Sequence, residues 1–461
     1  MTPTDPSQHR RWRPPKRLAT LAAIAALGLT ASLTPVTSAT APAPAESTSP
    51  ADATLSLSMV ELLGGETSGQ VMTLDELRLD VLERNYTDGG HDGSGIDIAL
   101  IDSGVAPVDG LDGPHVLHGP DLSFEGESPD VAYLDTYGHG THMAGILAGR
   151  RAGHQGLATG SRIVSLKVAG HDGITTVPQV VAAIDWVVDH RNTDGLNIRV
   201  LNLSLGSDAP TDHRGDLLSA AVERAWDAGI VVVVAAGNRG TAPGHIDSPA
   251  IDPYVIAVGA GDNTNGQDEE DQPPTGFTSH GDGVRNPDLM APGVSIASYR
   301  VPGSTIDIQV PTARYGDDLF RGSGSSQAAA VTAASAARLL GAYPSMTPDE
   351  VKDTLVRSTE HDLGYGSHII GTGMIDTEDA WQYPRYGATQ NHPTAAGNGT
   401  GIATPTGSTW SGGTWSGSTW SGSTWSGSTW SGSTWSGATW SGSTWSGSTW
   451  SGSTWSGNGW S

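Results

Sequence analysis

The chain has no cysteine, which excludes a thiol nucleophile and any disulfide framework. Stability must therefore come from the core, with bound ions as the remaining aid. Positive charge is scarce as well. Lys and Arg number 24 against 49 Asp and Glu, a formal net charge of −25. So acidic a surface argues against nucleic-acid binding and favours solubility. Apolar residues make up only 36% of the chain. That deficit is local: from about residue 387 onward the sequence is mostly Gly, Ser, Thr and Trp, and the stretch before it has normal apolar density. Long hydrophobic runs are missing too. The run from Leu18 to Leu33 is short of the roughly 20 residues that a membrane span needs.

That run follows a basic segment, Arg10, Arg11, Arg13, Lys16 and Arg17, and precedes the small residues Ala39-Thr40-Ala41. The order matches a cleaved export signal over residues 1–41. Cleavage would take five basic residues and one acidic one, Asp5, and move the formal charge to −29. The mature chain is expected outside the cell, with no membrane span. Residues 42–50 are rich in Ala, Pro, Ser and Thr and read as a flexible linker. Within 42–86, a strand is expected over Thr54 to Leu62. A helix follows, opened by a Thr73/Glu76 capping box, with Leu77, Val81 and Leu82 on one face.

Between about 92 and 380, strands alternate with helices. Apolar strands are expected at Ile96 to Ile101, Ile163 to Val168, Ile198 to Leu203, Ile230 to Ala235 and Tyr254 to Val258. Helices are expected at Val177 to His190, Leu217 to Ala228, Ser326 to Leu340 and Thr347 to Ser358. Buried β-branched strands separated by helices predict an α/β fold, a doubly wound and mostly parallel sheet with helices on both faces. The α/β domain is bounded at 87–386, with residues 387–461 as a repeat tail. In that tail Trp recurs every five residues from Trp410 to Trp460. Five matches neither a helical nor a strand face, and the Gly/Ser content predicts a disordered chain carrying spaced indoles. Multivalent contact with cell-wall glycan is the alternative use of those rings.

Four segments carry candidate chemistry. Asp102 ends an apolar strand in Asp102-Ser103-Gly104, at the carboxyl end where parallel sheets build their sites. His139 opens His-Gly-Thr-His-Met-Ala-Gly, a helix start where an imidazole near a carboxylate serves as general base. His142, three residues on, reads as a packed structural histidine, because the His-Glu-x-x-His zinc pattern is absent. Asn238 follows the Ile230–Ala235 strand, where its amide could donate to an oxyanion, an effect worth roughly 3 to 4 kcal/mol. Ser326 stands in Gly322-Ser323-Gly324-Ser325-Ser326-Gln327-Ala328, ahead of an Ala-rich helix whose free amides point outward. Local sequence leaves the choice among these serines open. The chain order Asp, His, Ser is unlike that of the α/β-hydrolases, whose Gly-x-Ser-x-Gly elbow is also missing.

Together these strings resemble the subtilisin-like serine peptidases over about residues 92–380. Asp102-Ser103-Gly104 and His139-Gly140-Thr141-His142 match that family's Asp and His motifs. Gly324-Ser325-Ser326-Gln327-Ala328 resembles its nucleophile motif, and Ala236-Gly237-Asn238 its oxyanion segment. The resemblance implies an Asp102, His139, Ser326 triad with Asn238 in the oxyanion hole, and protein or peptide substrates. It also implies that Ser204, Leu205 and Gly206 pair with substrate backbone beside the specificity pocket, and Met290-Ala291-Pro292-Gly293 matches a further landmark. Ser325, Gln327 and Ala330 depart from the family's usual Thr, Met and Pro without removing a catalytic group. No cofactor or catalytic metal is required. Structural calcium is common in the family, but no loop here matches its sites, and the acidic run Asp268 to Asp271 reads as a solvated loop. The stretch before Gly89-Gly90 is too short for the family's full propeptide, which leaves a shortened pro-segment or a packed extension. The rival function is an inactive peptidase-like surface protein that displays the Trp repeats.

Overall fold

The computed structural model describes residues 54–57, 70–82, 91–208, 213–241, 244–262, 273–359 and 365–390, together with short backbone stretches between 410 and 456. The expected signal and linker, residues 1–50, lie outside the described residues.

Seven strands form the central sheet: β1 (Asp97–Asp102), β2 (Val116–Asp121), β3 (Arg162–Lys167), β4 (Ile198–Leu203), β5 (Val231–Ala235), β6 (Ile256–Gly261) and β7 (Leu289–Pro292). Their order is β7-β6-β5-β4-β1-β3-β2, and every neighbouring pair is parallel. Chain order reverses between β1 and β4, the switch point at which such sheets open a crevice. All residues of β1, β5 and β6 are buried whichever way they point, so both faces of the sheet are covered. The expected α/β, doubly wound fold is the one observed.

The covering helices include α1 (His139–Ala148), α2 (Val177–His190), α3 (Leu217–Asp227), α4 (Ser325–Ala342) and α5 (Pro348–Arg357). Helix α2 starts with a Thr176/Gln179 capping box and Pro178 in its first turn, and α5 with a Thr347/Glu350 box. Helix α4 is buried from Ser325 to Leu340 and packs on α1 and on β4, β5 and β6. Its seven alanines in that stretch keep much of the helix surface small, which lets helix and sheet approach closely.

The N-terminal stretch packs on this domain. The expected helix is Leu74–Val81, with the Thr73/Glu76 capping box formed and Leu77, Val81 and Leu82 buried. Met72–Thr73 pairs in parallel with Ile296–Tyr299, in a small sheet with Leu319–Gly322 and Arg314–Tyr315. Thr54–Ser56 pairs antiparallel with Ile174–Thr176. At the other end, residues up to Gln390 bond to the domain: Gly387 N to Glu350 Oε1 (2.6 Å) and Gln390 N to Asp349 Oδ2 (2.9 Å). In the repeats, paired backbone stretches such as Thr429–Ser436 with Thr439–Ser446 are described. The rest of the tail, and the side chains throughout, lie outside the described residues, and with them the expectation of disorder.

Candidate active site

Asp102, Ser204 and Asn238 stand at or just past the carboxyl ends of β1, β4 and β5, and His139 and Ser326 lie in the first turns of α1 and α4. Asp102 is the last residue of β1 and is 1% exposed. Its carboxylate accepts from Ser103 N (2.8 Å) and meets His139 Nδ1 at 2.8 Å through Oδ1 and 2.9 Å through Oδ2. His139 is the first residue of α1 and is fully buried, and its Nε2 makes no hydrogen bond. Because Nδ1 faces a carboxylate, it carries a proton, so in the neutral ring the lone pair is on Nε2.

Two neighbours hold this pair in place. Asp135, buried at the loop before α1, accepts from Ser103 Oγ (2.8 Å), Gly138 N (2.7 Å), Thr141 N (2.8 Å) and Thr141 Oγ1 (2.6 Å). Burial pushes its carboxyl up, against those four bonds, which favour the charged form. Ser103 Oγ also accepts from Gly140 N (2.9 Å), so one hydroxyl ties the end of β1 to the start of α1. Gly140 must be glycine: a Cβ there would lie 2.1 Å from Gly104 O. His142 is packed, as expected from the sequence. Its Nε2 donates to Ile296 O (3.2 Å) and Phe320 O (3.1 Å), and burial, with His139 nearby, pushes it down to about 3.

Ser326 is the second residue of α4, the helix packed against α1. Its hydroxyl donates to Ser204 O (3.2 Å), and Ser204 Oγ donates back to Ser326 O (3.1 Å). Ser204 Oγ also accepts from Asn202 Nδ2 (2.9 Å), which pins the end of β4 to the helix. Asn238 is oriented by Ser325, whose N and Oγ both donate to Asn238 Oδ1 (2.8 and 2.9 Å). With Oδ1 so held, the amide NH2 points to the other side, and its nitrogen lies 3.2 Å from where a Gly324 side chain would begin. The hydroxyl kept by Ser in place of the family's Thr at 325 is thus in use, and it also accepts from Gly237 N (3.1 Å).

Beside Ser326 opens a cavity of about 210 Å³ lined by Ser204, Leu205, Gly206, Asn238, Arg239 and Asp247 among others. All three residues expected to contact substrate, Ser204 to Gly206, line it. The charged members were not legible from the motifs. Arg239 Nε donates to Asp247 Oδ1 (2.9 Å), its Nη2 bonds the same oxygen, and its Nη1 reaches Asp208 Oδ1 (2.5 Å). Burial pushes Asp247 up to about 6, with the Arg239 pairing opposing.

The potential metal donors are a different set of residues. Among the described residues, His213, Glu223 and Asp252 bring potential ligand atoms within 4.8 Å of one another. A carbonyl cluster that could serve a cation is filled by the protein itself. Lys352 Nζ donates to Pro253 O (2.7 Å) and Val255 O (2.8 Å) and lies 3.1 Å from Asp288 Oδ1. Asp268 to Asp271 lies outside the described residues.

Comparison with known proteins agrees with this architecture. The family model described as the subtilase family matches residues 93–399. The chain is 36% identical over 299 residues to serine protease AprX of Bacillus subtilis (strain 168), covering 62% of this chain and 66% of that protein. It is 33% identical over 302 residues to the subtilisin of Bacillus pumilus, covering 64% of this chain and 93% of the relative. Among solved structures it is similar to fervidolysin from Fervidobacterium pennivorans, described as a keratinolytic enzyme related to subtilisin. The TM-score is 0.52 at 29% identity, over 64% of this chain and 43% of that one. The chain belongs to the subtilase family.

Proposed function

We propose that this protein is a secreted serine endopeptidase that hydrolyses peptide bonds through an acyl-enzyme. The observation that carries the reading is the buried Asp102–His139 contact, which leaves His139 Nε2 without a hydrogen bond at the start of the helix packed on α4. Rotation of the Ser326 side chain away from Ser204 O would present Oγ to that nitrogen. His139 Nε2 then takes the Ser326 proton as Oγ attacks the substrate carbonyl, and Asp102 stabilises the imidazolium that forms. The Asn238 amide and the Ser326 backbone N–H, at the start of α4, donate to the oxyanion. As the tetrahedral intermediate collapses, His139 gives the proton to the leaving amine. Water, deprotonated by the same nitrogen, hydrolyses the ester. No cofactor enters this chemistry.

Substrate would bind as an added strand beside Ser204 to Gly206. A second edge supports this mode, because Ile174–Thr176 already carries Thr54–Ser56 as an added strand. Leu57 N donates to Gly173 O (2.9 Å), and Tyr137 Oη, two residues before His139, donates to Leu57 O (3.0 Å). We take residues 54–57 as part of a shortened pro-segment lying along the approach to His139. Export rests on the basic, apolar and small-residue order of residues 1–41. Among the described residues no helix is long and apolar enough to cross a membrane. The repeats Trp410 to Trp460 stay outside the chemistry, and their fit to cell-wall glycan rests on stacking by regularly spaced indoles.

The test is hydrolysis of an unfolded protein substrate by the full chain beside Ser326→Ala and His139→Ala. Cleavage at internal bonds that both substitutions abolish is the expected result. Undiminished cleavage by either variant would overturn the assignment.

A further inference from the structure

The cavity beside Ser326 is where the side chain preceding the cleaved bond would sit, and its wall has an uncommon chemistry. Its charged members are two carboxylates, Asp208 and Asp247, and one guanidinium, Arg239. His245 Nε2 lies 3.4 Å from Asp208 Oδ1 at the outer end. With His245 neutral the cluster carries a net charge of −1.

The two oxygens of Asp247 differ. Oδ1 takes both bonds from Arg239, through Nε and Nη2. Oδ2 receives no hydrogen bond from any described residue. Two glycines of the cavity wall adjoin this carboxylate: a Cβ built on Gly237 would lie 2.6 Å from Oδ1 and Oδ2 alike, and one built on Gly206 would meet Oδ2 at 3.3 Å. The missing side chains therefore leave Oδ2 uncovered beside the space that a substrate would fill. The Asp247 side chain is only 11% exposed, so water has little access to it from elsewhere. A buried carboxylate oxygen open toward a cavity costs free energy unless a donor reaches it.

We propose that this pocket selects a basic side chain, Lys or Arg, at the residue preceding the cleaved bond, with its cationic head donating to Asp247 Oδ2. The inference rests on the peptidase reading above and names the substrate class of the same site. A cation there turns the cluster from net −1 to neutral and supplies the donor that Oδ2 lacks. An apolar side chain of the same length would strip water from the Arg239–Asp247 pair and return no hydrogen bond. An acidic one would face two carboxylates. The overall charge of −25 favours encounter with basic peptides in the same sense.

The experiment uses the full chain and a peptide series that differs only at that position, carrying Lys, Arg, Leu, Phe or Glu. The proposal predicts kcat/KM for Lys and Arg at least tenfold above Leu and Phe, with Glu lowest. Asp247→Asn should lower the ratio of Lys to Leu, and of Arg to Leu, about tenfold or more. Arg239→Ala removes the internal cation, so the ratio of Lys to Leu should rise, a gain that misfolding does not mimic. Equal cleavage of Leu, Phe and Lys by the wild type would overturn the proposal and leave the peptidase reading intact. Cleavage of no member of the series would overturn both.

Discussion

His139 and Asp102 meet through one ring nitrogen and both carboxylate oxygens, at 2.8 and 2.9 Å, with neither side chain appreciably exposed. The contact fixes the tautomer, since a carboxylate can only accept and so Nδ1 must donate. An amide at 102 could place its NH2 against Nδ1 and put the proton on Nε2, the wrong nitrogen for a base. Asp102→Asn is therefore expected to fold and to lower kcat on the order of 10⁴-fold, with KM little changed. Steady-state kinetics on one peptide substrate, with a circular dichroism spectrum to show folding, checks this.

Asn238 and Ser325 form the second relationship to test. Removing the amide in Asn238→Ala should lower kcat by about 10²- to 10³-fold and leave KM nearly unchanged, because the oxyanion exists only in the transition state. Ser325→Ala loses one of the two bonds that orient Asn238 Oδ1 while the backbone bond remains, so its loss should be smaller. Ser325→Thr, which keeps the hydroxyl, should restore it. A Ser325→Ala loss equal to that of Asn238→Ala would show that the hydroxyl acts elsewhere.

The N-terminal strand yields a prediction of opposite sign. Leu55 and Leu57 are 0% and 2% exposed where residues 54–57 lie along Ile174–Thr176. Charged residues there cannot be buried without large cost, so Leu55→Asp with Leu57→Asp should release the segment. Initial rates of the unprocessed chain toward a short peptide are expected to rise in that variant. Unchanged rates would place the segment clear of the substrate's path.

Acid stability follows from Glu125. Burial would raise its pKa, but bonds from Lys167 Nζ (2.6 Å), Thr136 Oγ1 (2.7 Å) and His171 N (2.9 Å) hold it down at about 2. The unfolded chain takes up this proton near 4.5 and the folded chain only near 2. The contribution is thus whole above about pH 4.5 and is lost as pH falls through that window. Urea unfolding from pH 6 to 3 should show a fall in stability that is shallower in Glu125→Gln. Identical slopes would remove Glu125 from the account.

Much of this was readable in advance where one periodicity or one motif decided the outcome. Helix Val177–His190 and strand Ile198–Leu203 stand at the expected bounds, because runs of buried apolar residues meet a capping box or a turn at their ends. Strand Val116–Asp121 was not legible: Gly119 and Pro120 break the pattern, and only an edge position tolerates them. Strand Leu289–Pro292 is four residues long and ends in Pro, too short for its periodicity to mark it as a strand. The motifs also place Asp102 and His139, which sit in strings with little freedom. They do not reveal Asp135, whose role is to gather four donors from a loop that only the fold closes. Nor do they reveal Asp247, which meets Arg239 from eight residues away at the wall of the cavity.

The most direct test of the central claim is reaction of the purified, signal-free protein with a fluorophosphonate probe, beside Ser326→Ala, with the labelled peptide mapped by mass spectrometry. The account predicts one adduct, on Ser326, absent from the variant and suppressed in His139→Ala. Failure of the wild type to label, including after limited proteolysis ahead of residue 91, or an adduct on another serine, would contradict it.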